Sequence, residues 1–99
     1  MATENILNLD ELESKLDLLK GNDFEEIESI ERQLGNLTPV ITFSSSFQAR
    51  LAAHALGVTP QEIRGLKLPE YNDVISRTSN FLFGPSAKRM QLKKSENLQ

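Results

Sequence analysis

His54 is the only histidine in this 99-residue chain, and there is no cysteine. Neither an acid nor a serine stands at a spacing from His54 that would build a proton relay or a metal box. On an alanine-rich stretch, LAAHAL, it reads as a structural residue. The lack of cysteine removes disulfides, thiol nucleophiles and thiolate metal sites together. Four carboxylates, Glu25, Glu26, Glu28 and Glu31, crowd one segment, and the reading for them is a solvated helix face rather than an acid/base pair. Gly57, Gly65 and Gly84 each follow a helical stretch, so none forms a phosphate-cradling loop after a strand. Residue chemistry therefore predicts no enzyme, with no catalytic residue, no cofactor and no metal.

The elements that carry these residues are short and well punctuated. Leu9, Leu12, Leu16 and Leu19 recur at steps of three and four and Gly21 follows, which predicts an amphipathic helix over 9–20. In NDFEEIESIERQLG, Asn22 is a candidate cap answered by Glu25, and Phe24, Ile27, Ile30 and Leu34 form an apolar stripe that Gly35 stops. The segment NLTPVITFSSS breaks the helical period, because Pro39 disfavours helix at Thr38 and the β-branched pair Val40 and Ile41 prefers extended backbone. It reads as a connector with room for one short strand at 40–43. Ser44, Ser45 and Ser46 supply caps for FQARLAAHALG, whose Phe47, Leu51, Ala55 and Val58 lie near one face and which ends at Gly57. Thr59, Pro60 and Glu62 are a capping box with proline at the first position, so 60–66 is a single short helix. Pro69 opens a last helix with Tyr71, Val74, Ile75, Thr78, Phe81 and Leu82 as its stripe, and Gly84-Pro85 is its expected stop.

The fold class is thus all-α, a small bundle of about five short helices. It is read as one domain over 1–84, with acidic helices over 9–34 and a helical module over 47–83, followed by a basic tail at 85–99 expected to be mobile. With 38% apolar and 25% charged residues, the composition is that of a folded soluble chain. No apolar run is long enough for a bilayer, and MATENILNLDELE lacks the pattern of a secretion signal, so a cytoplasmic location is expected. Charge is segregated: residues 1–31 carry a formal −8 and residues 32–99 a formal +5. Such asymmetry favours oriented contacts with a charged partner or with another copy of the chain.

Two functional readings compete for the segment after Phe47. Ala53, Gly57 and Ile63, supported by Leu56, Val58 and Leu66, fit the spacing of a helix-turn-helix over 47–66. The second of those helices would present Thr59, Gln61, Glu62, Arg64 and Lys67, a mixed set in a chain of pI about 5.1. A DNA reader gathers positive charge on that face, since phosphate neutralisation supplies much of its affinity. DNA binding is therefore the runner-up, with a structural virion or adaptor protein third.

The fuller match is to a protein-binding module. The string FQARLAAHALGVTPQEIRGLKLPEYNDVISRTSNFLF, residues 47–83, resembles the C-terminal half of small tail assembly chaperones of bacteriophages, the group serving Mu-like and P2-like contractile tails. The features that carry it are Val58-Thr59-Pro60, Ile63, Leu66, Glu70-Tyr71 and Phe81-Leu82. The resemblance implies a non-catalytic assembly factor that binds the tape measure protein, tail tube subunits or both in the host cytoplasm. It also implies that a longer frameshifted product is made, for which Lys93-Lys94 is the candidate slippery site. A long amphipathic helix aggregates unless its apolar stripe is covered, and a small helical domain can offer a groove for it. The candidate protein-binding residues are Phe47, Leu51, Ile63, Leu66, Tyr71, Ile75, Phe81 and Phe83. Tyr71 and Phe83 are the members expected at the surface.

Overall fold

The computed structural model describes residues 8–98, and side chains for residues 8–84. The domain is all-α. A 3₁₀ turn at Leu9–Glu11 leads into α1 (Leu12–Leu16), followed by α2 (Gly21–Gln33), a 3₁₀ turn at Ile41–Phe43, α3 (Ser45–Leu56), α4 (Pro60–Arg64) and α5 (Leu68–Leu98). α3 is the hub, in contact with α1, α2, α4, α5 and the second 3₁₀ turn. Its inward side is small, with Ala49, Ala52 and Ala53 fully buried beside Phe47 and Leu51. Alanine keeps the helix cylinder narrow, so four neighbours approach one axis closely. Leu12, Leu16, Ile27, Ile41, Ile63 and Val74 complete the core. The Phe24 and Phe47 rings meet with centroids 4.9 Å apart and tilted by 60°, a geometry that aromatic quadrupoles favour.

The first helix is shorter than its leucine spacing suggests. α1 ends at Leu16, the Leu18 and Leu19 amides turn back to the Lys15 and Leu16 carbonyls, and Leu18 is left exposed. α2 then starts at Gly21, and its cap is not Asn22 with Glu25. The Asp23 carboxylate accepts from the Lys20 amide at 2.8 Å, so the acid two residues upstream of the expected partner wins. At its far end α2 closes as the glycine signal predicts. Gly35 adopts φ +99° and the Asn36 amide reaches the Glu31 carbonyl at 2.9 Å, the six-to-one bond of a glycine-terminated helix.

No strand forms at 40–43. A lone extended segment has no partner for its backbone groups, and among the described residues no strand is available to pair with it. Side chains satisfy the connector instead. Arg32 donates to the carbonyls of Asn36, Thr38 and Pro39, at 3.1, 2.6 and 3.4 Å, and Gln48 donates to the Thr42 carbonyl at 2.7 Å. Asn36 accepts from both the amide and the hydroxyl of Thr38. Ile41 alone drops into the core while Val40 and Phe43 stay outside.

Glu31 also departs from the sequence reading. It is not on a solvated face: only 2% of it is exposed. The inward stripe of α2 runs 24, 27, 31, so a carboxylate occupies the position where an aliphatic residue would be expected, and Leu34, past the last turn, lies exposed. Arg50 of α3 donates to Glu31 Oε2 at 2.6 Å, and Asn36 donates to its Oε1 at 2.8 Å and to the Ser44 hydroxyl at 2.8 Å. Ser44 in turn caps α3 by accepting from the Phe47 amide.

The α3–α4 corner follows its sequence signals closely. Gly57 is left-handed at φ +75°, the Val58 amide bonds the Ala53 carbonyl, and Thr59 and Glu62 exchange the two bonds of a capping box. α5 then starts one residue before Pro69 and does not stop at Gly84-Pro85. Its backbone stays helical to Leu98. Proline has helical φ already, and what it lacks is one amide donor, so a proline weakens a helix without always ending it. The basic tail at 85–99, expected to be mobile, has its side chains outside the described residues. Arg77 of α5 grips Asp73 with its Nε and reaches the Leu9 carbonyl at 3.1 Å and Glu13 at 3.5 Å, clamping the start of α1 to α5.

Burial at Thr78 and Glu31 sets three expectations. Thr78 has no exposed surface and its hydroxyl has no hydrogen-bond partner, so Thr78→Val removes an unsatisfied group at nearly constant volume. We expect the variant to be more stable by about 1 kcal/mol, measured as a rise in denaturation midpoint with unchanged slope. For Glu31, burial pushes the carboxyl up, but hydrogen bonds from Arg50, Asn36 and Ser46 outweigh it and hold the group below its ordinary value of 4.5. A depressed carboxylate contributes stability that is fully present above its unfolded pKa and lost as pH falls through its folded one. Stability of the protein should therefore decline below about pH 4.5 with a component that Glu31→Gln lacks. Arg50→Ala, which strands the buried charge, should cost about 3–5 kcal/mol at neutral pH.

Candidate docking surface

The eight candidate residues divide by burial. Phe47, Leu51 and Ile63 are at most 3% exposed and belong to the core. Leu66, Tyr71, Ile75 and Phe81 are half-buried and pack against that core from its rim. Phe83 is half-buried as well, and its ring stacks on Phe43 with centroids 5.0 Å apart and planes 17° from parallel. The side chains able to meet a partner are therefore Leu66, Tyr71 and Phe83, joined by two that the sequence reading passed over. Phe43 and Leu68 are each 68% exposed.

Both omissions have a physical reason. Phe43 lies in the ITF segment read as extended, where its side could not be assigned, and it is the 3₁₀ turn that sends Ile41 inward and Phe43 outward. Leu68 precedes Pro69 and was treated as linker, whereas it is the first residue of α5. The signal that could have found both is the same: a large apolar residue at a helix start, one before the cap of α3 and one opening α5.

Two open clefts meet beside the start of α3. One, of about 440 Å³, is lined by Glu31, Leu34, Gly35, Asn36, Ser44, Ser46, Arg50 and Arg64. The other, of about 370 Å³, is lined by Ser45, Ser46, Arg64, Leu66, Leu68 and Tyr71. They share Ser46 and Arg64, whose side chains are joined by a hydrogen bond of 3.1 Å, Arg64 Nη2 donating. The result is one trough with a polar bar across its middle, an exposed leucine at one end and two leucines and a tyrosine at the other.

The electrostatics of this trough differ on either side of the bar. Arg50 is neutralised by Glu31. Arg64 has no carboxylate within ion-pair distance among the described residues, whereas Arg32 faces Glu28, Arg50 faces Glu31 and Arg77 faces Asp10, Glu13 and Asp73. Glu62, two residues from Arg64, is held by the Thr59 amide and hydroxyl.

His54 has one partner, Asp23, at 3.3 Å across the α2–α3 surface. The acid comes from 31 residues away in sequence, beyond any local spacing rule. The Asp23 carboxyl lies below its usual range, chiefly because the Lys20 amide donates to it, with burial opposing and His54 assisting. His54 lines neither cleft, so the pair fastens α2 to α3. Among the described residues no group of three or more His, Cys, Asp or Glu side chains could hold a metal ion, and no helix is long and apolar enough to cross a membrane. No protein-family model, no curated protein and no solved structure matches the chain.

Proposed function

We propose that the protein is a non-catalytic assembly chaperone for bacteriophage tails, working in the host cytoplasm by covering an apolar stripe on the long helical tape measure protein, on tail tube subunits, or on both. The observation that carries this reading is the set of apolar and aromatic side chains only partly covered around the start of α5 and the second 3₁₀ turn. Leu66, Leu68 and Tyr71 line an open cleft, and the Phe43–Phe83 stack stands as a second aromatic platform. A domain this small leaves large apolar side chains uncovered at some cost in solubility, and clusters of them mark interaction surfaces. The segment that resembles the tail chaperones supplies most of this set: Leu66, Leu68, Tyr71 and Phe83 all fall within residues 47–83, and Thr59 of its Val58-Thr59-Pro60 turn caps α4. Weak contacts repeated along a long helix would hold it by avidity, without one tight site.

The helix-turn-helix alternative keeps its corner, since α3 and α4 are joined through Gly57. Its second helix, however, has five residues, little more than one turn, and a reader of the major groove needs a helix that reaches several base pairs. That length favours protein binding.

Co-expression with the long helical protein encoded beside this one tests the reading. The wild-type chain should keep that partner soluble and co-purify with it. Tyr71→Ser combined with Phe83→Ser should abolish solubilisation while circular dichroism still reports a folded helical domain, at a lowered melting midpoint, since Tyr71 packs on the rim of the core and Phe83 stacks on Phe43. Phe47→Ala, a core change, should instead lose about 3–5 kcal/mol of stability. A partner that is soluble alone and never co-purifies would overturn the chaperone reading.

A further inference from the structure

The trough beside α3 carries more information than its apolar rim. A guanidinium presents five donors in a planar fork matched to a carboxylate, and among the described residues Arg64 donates to a serine hydroxyl and to no carboxylate. It is also exposed, and it lies where the two clefts join. Apolar side chains flank this charge unequally, Leu66, Leu68 and Tyr71 in one cleft and Leu34 alone in the other, where the rest of the lining is polar. An uninterrupted apolar stripe would leave the fork desolvated and unpaired, which is costly, and a basic stripe would be repelled. A segment with a carboxylate set among apolar side chains matches both Arg64 and the leucines and tyrosine beside it.

We infer that the trough takes an amphipathic helix of a partner protein whose apolar stripe is interrupted by one carboxylate, and that Arg64 selects for that carboxylate. This rests on the docking reading above and adds the chemistry of the partner. The leucines and Tyr71 supply the contact area and Arg64 supplies register: a helix that slides by one turn takes its carboxylate off the fork. Selection by one charge at the middle of an apolar contact discriminates among stripes that are otherwise alike.

Fluorescence anisotropy with the full chain tests it, using three labelled amphipathic peptides of about five helical turns that differ only at the central stripe position, Glu, Gln or Lys. The Glu peptide should bind at least about ten-fold tighter than the Lys peptide, as expected for a charge-assisted pair. Arg64→Glu should invert that order, Arg64→Gln should erase it, and Leu68→Ser should weaken all three peptides alike. Equal affinities for the three peptides, or an unchanged order in Arg64→Glu with the fold retained, would overturn the inference. So would a mass that rises with concentration in sedimentation equilibrium of the chain alone and falls back to monomer in Arg64→Glu, since another copy would then fill the trough. The two readings fail separately. Peptide selectivity without solubilisation of the tape measure protein removes the chaperone role, and solubilisation without selectivity removes the role of Arg64.

Discussion

A buried carboxylate needs a counter-charge and a full set of donors, and meeting that need at Glu31 organises much of this domain. Arg50 fastens α2 to α3, and Asn36, gripping the other oxygen, ties the connector to both. Because Asn36 also reaches Ser44, the same cluster sets the cap from which α3 starts. An apolar pair of equal volume could match the energy, but it would tolerate rotation of α2 or a different path of the connector. The ionic arrangement accepts one geometry, and its worth lies in that restriction. α3 then passes the orientation on, through its alanines, to every other helix of the bundle.

The open trough is a by-product of this economy. The connector is drawn back against Arg32 and Asn36, and α4 ends after little more than one turn, so among the described residues the outer side of α3 at Ser45 and Ser46 stays open. In a larger protein an extra helix would fill such a space. Here the leucines and tyrosine at its edge stay half-buried or exposed, while the leucines, valine and isoleucines behind them close the core.

Local signals were legible in the sequence where they involve neighbours in the chain. Gly35, Gly57, the Thr59–Glu62 box and the serine cap of α3 all behave as their residue types demand, because each is settled within six residues. What escaped depends on distance. The burial of Glu31 needs Arg50, 19 residues away, and the loss of a strand at 40–43 needs the knowledge that no second strand exists to pair with it. The candidate surface was half legible for the same reason: the apolar positions name Phe47, Leu51 and Ile63 together with Leu66, Tyr71 and Phe83, and only the packing separates the buried three from the half-buried three. Pro85 was read as a stop because proline ends most helices, yet here the backbone carries on.

The contact between Arg77 and the Leu9 carbonyl spans 68 residues, and this has a consequence during synthesis. At roughly 5–20 residues per second, the first helix emerges several seconds before the arginine that will hold it. For that interval the leucines of its stripe have no core to enter. The ten acids of the first 31 residues then act as solubilising groups for a nascent segment, keeping it apart from other chains by like-charge repulsion until the last helix arrives.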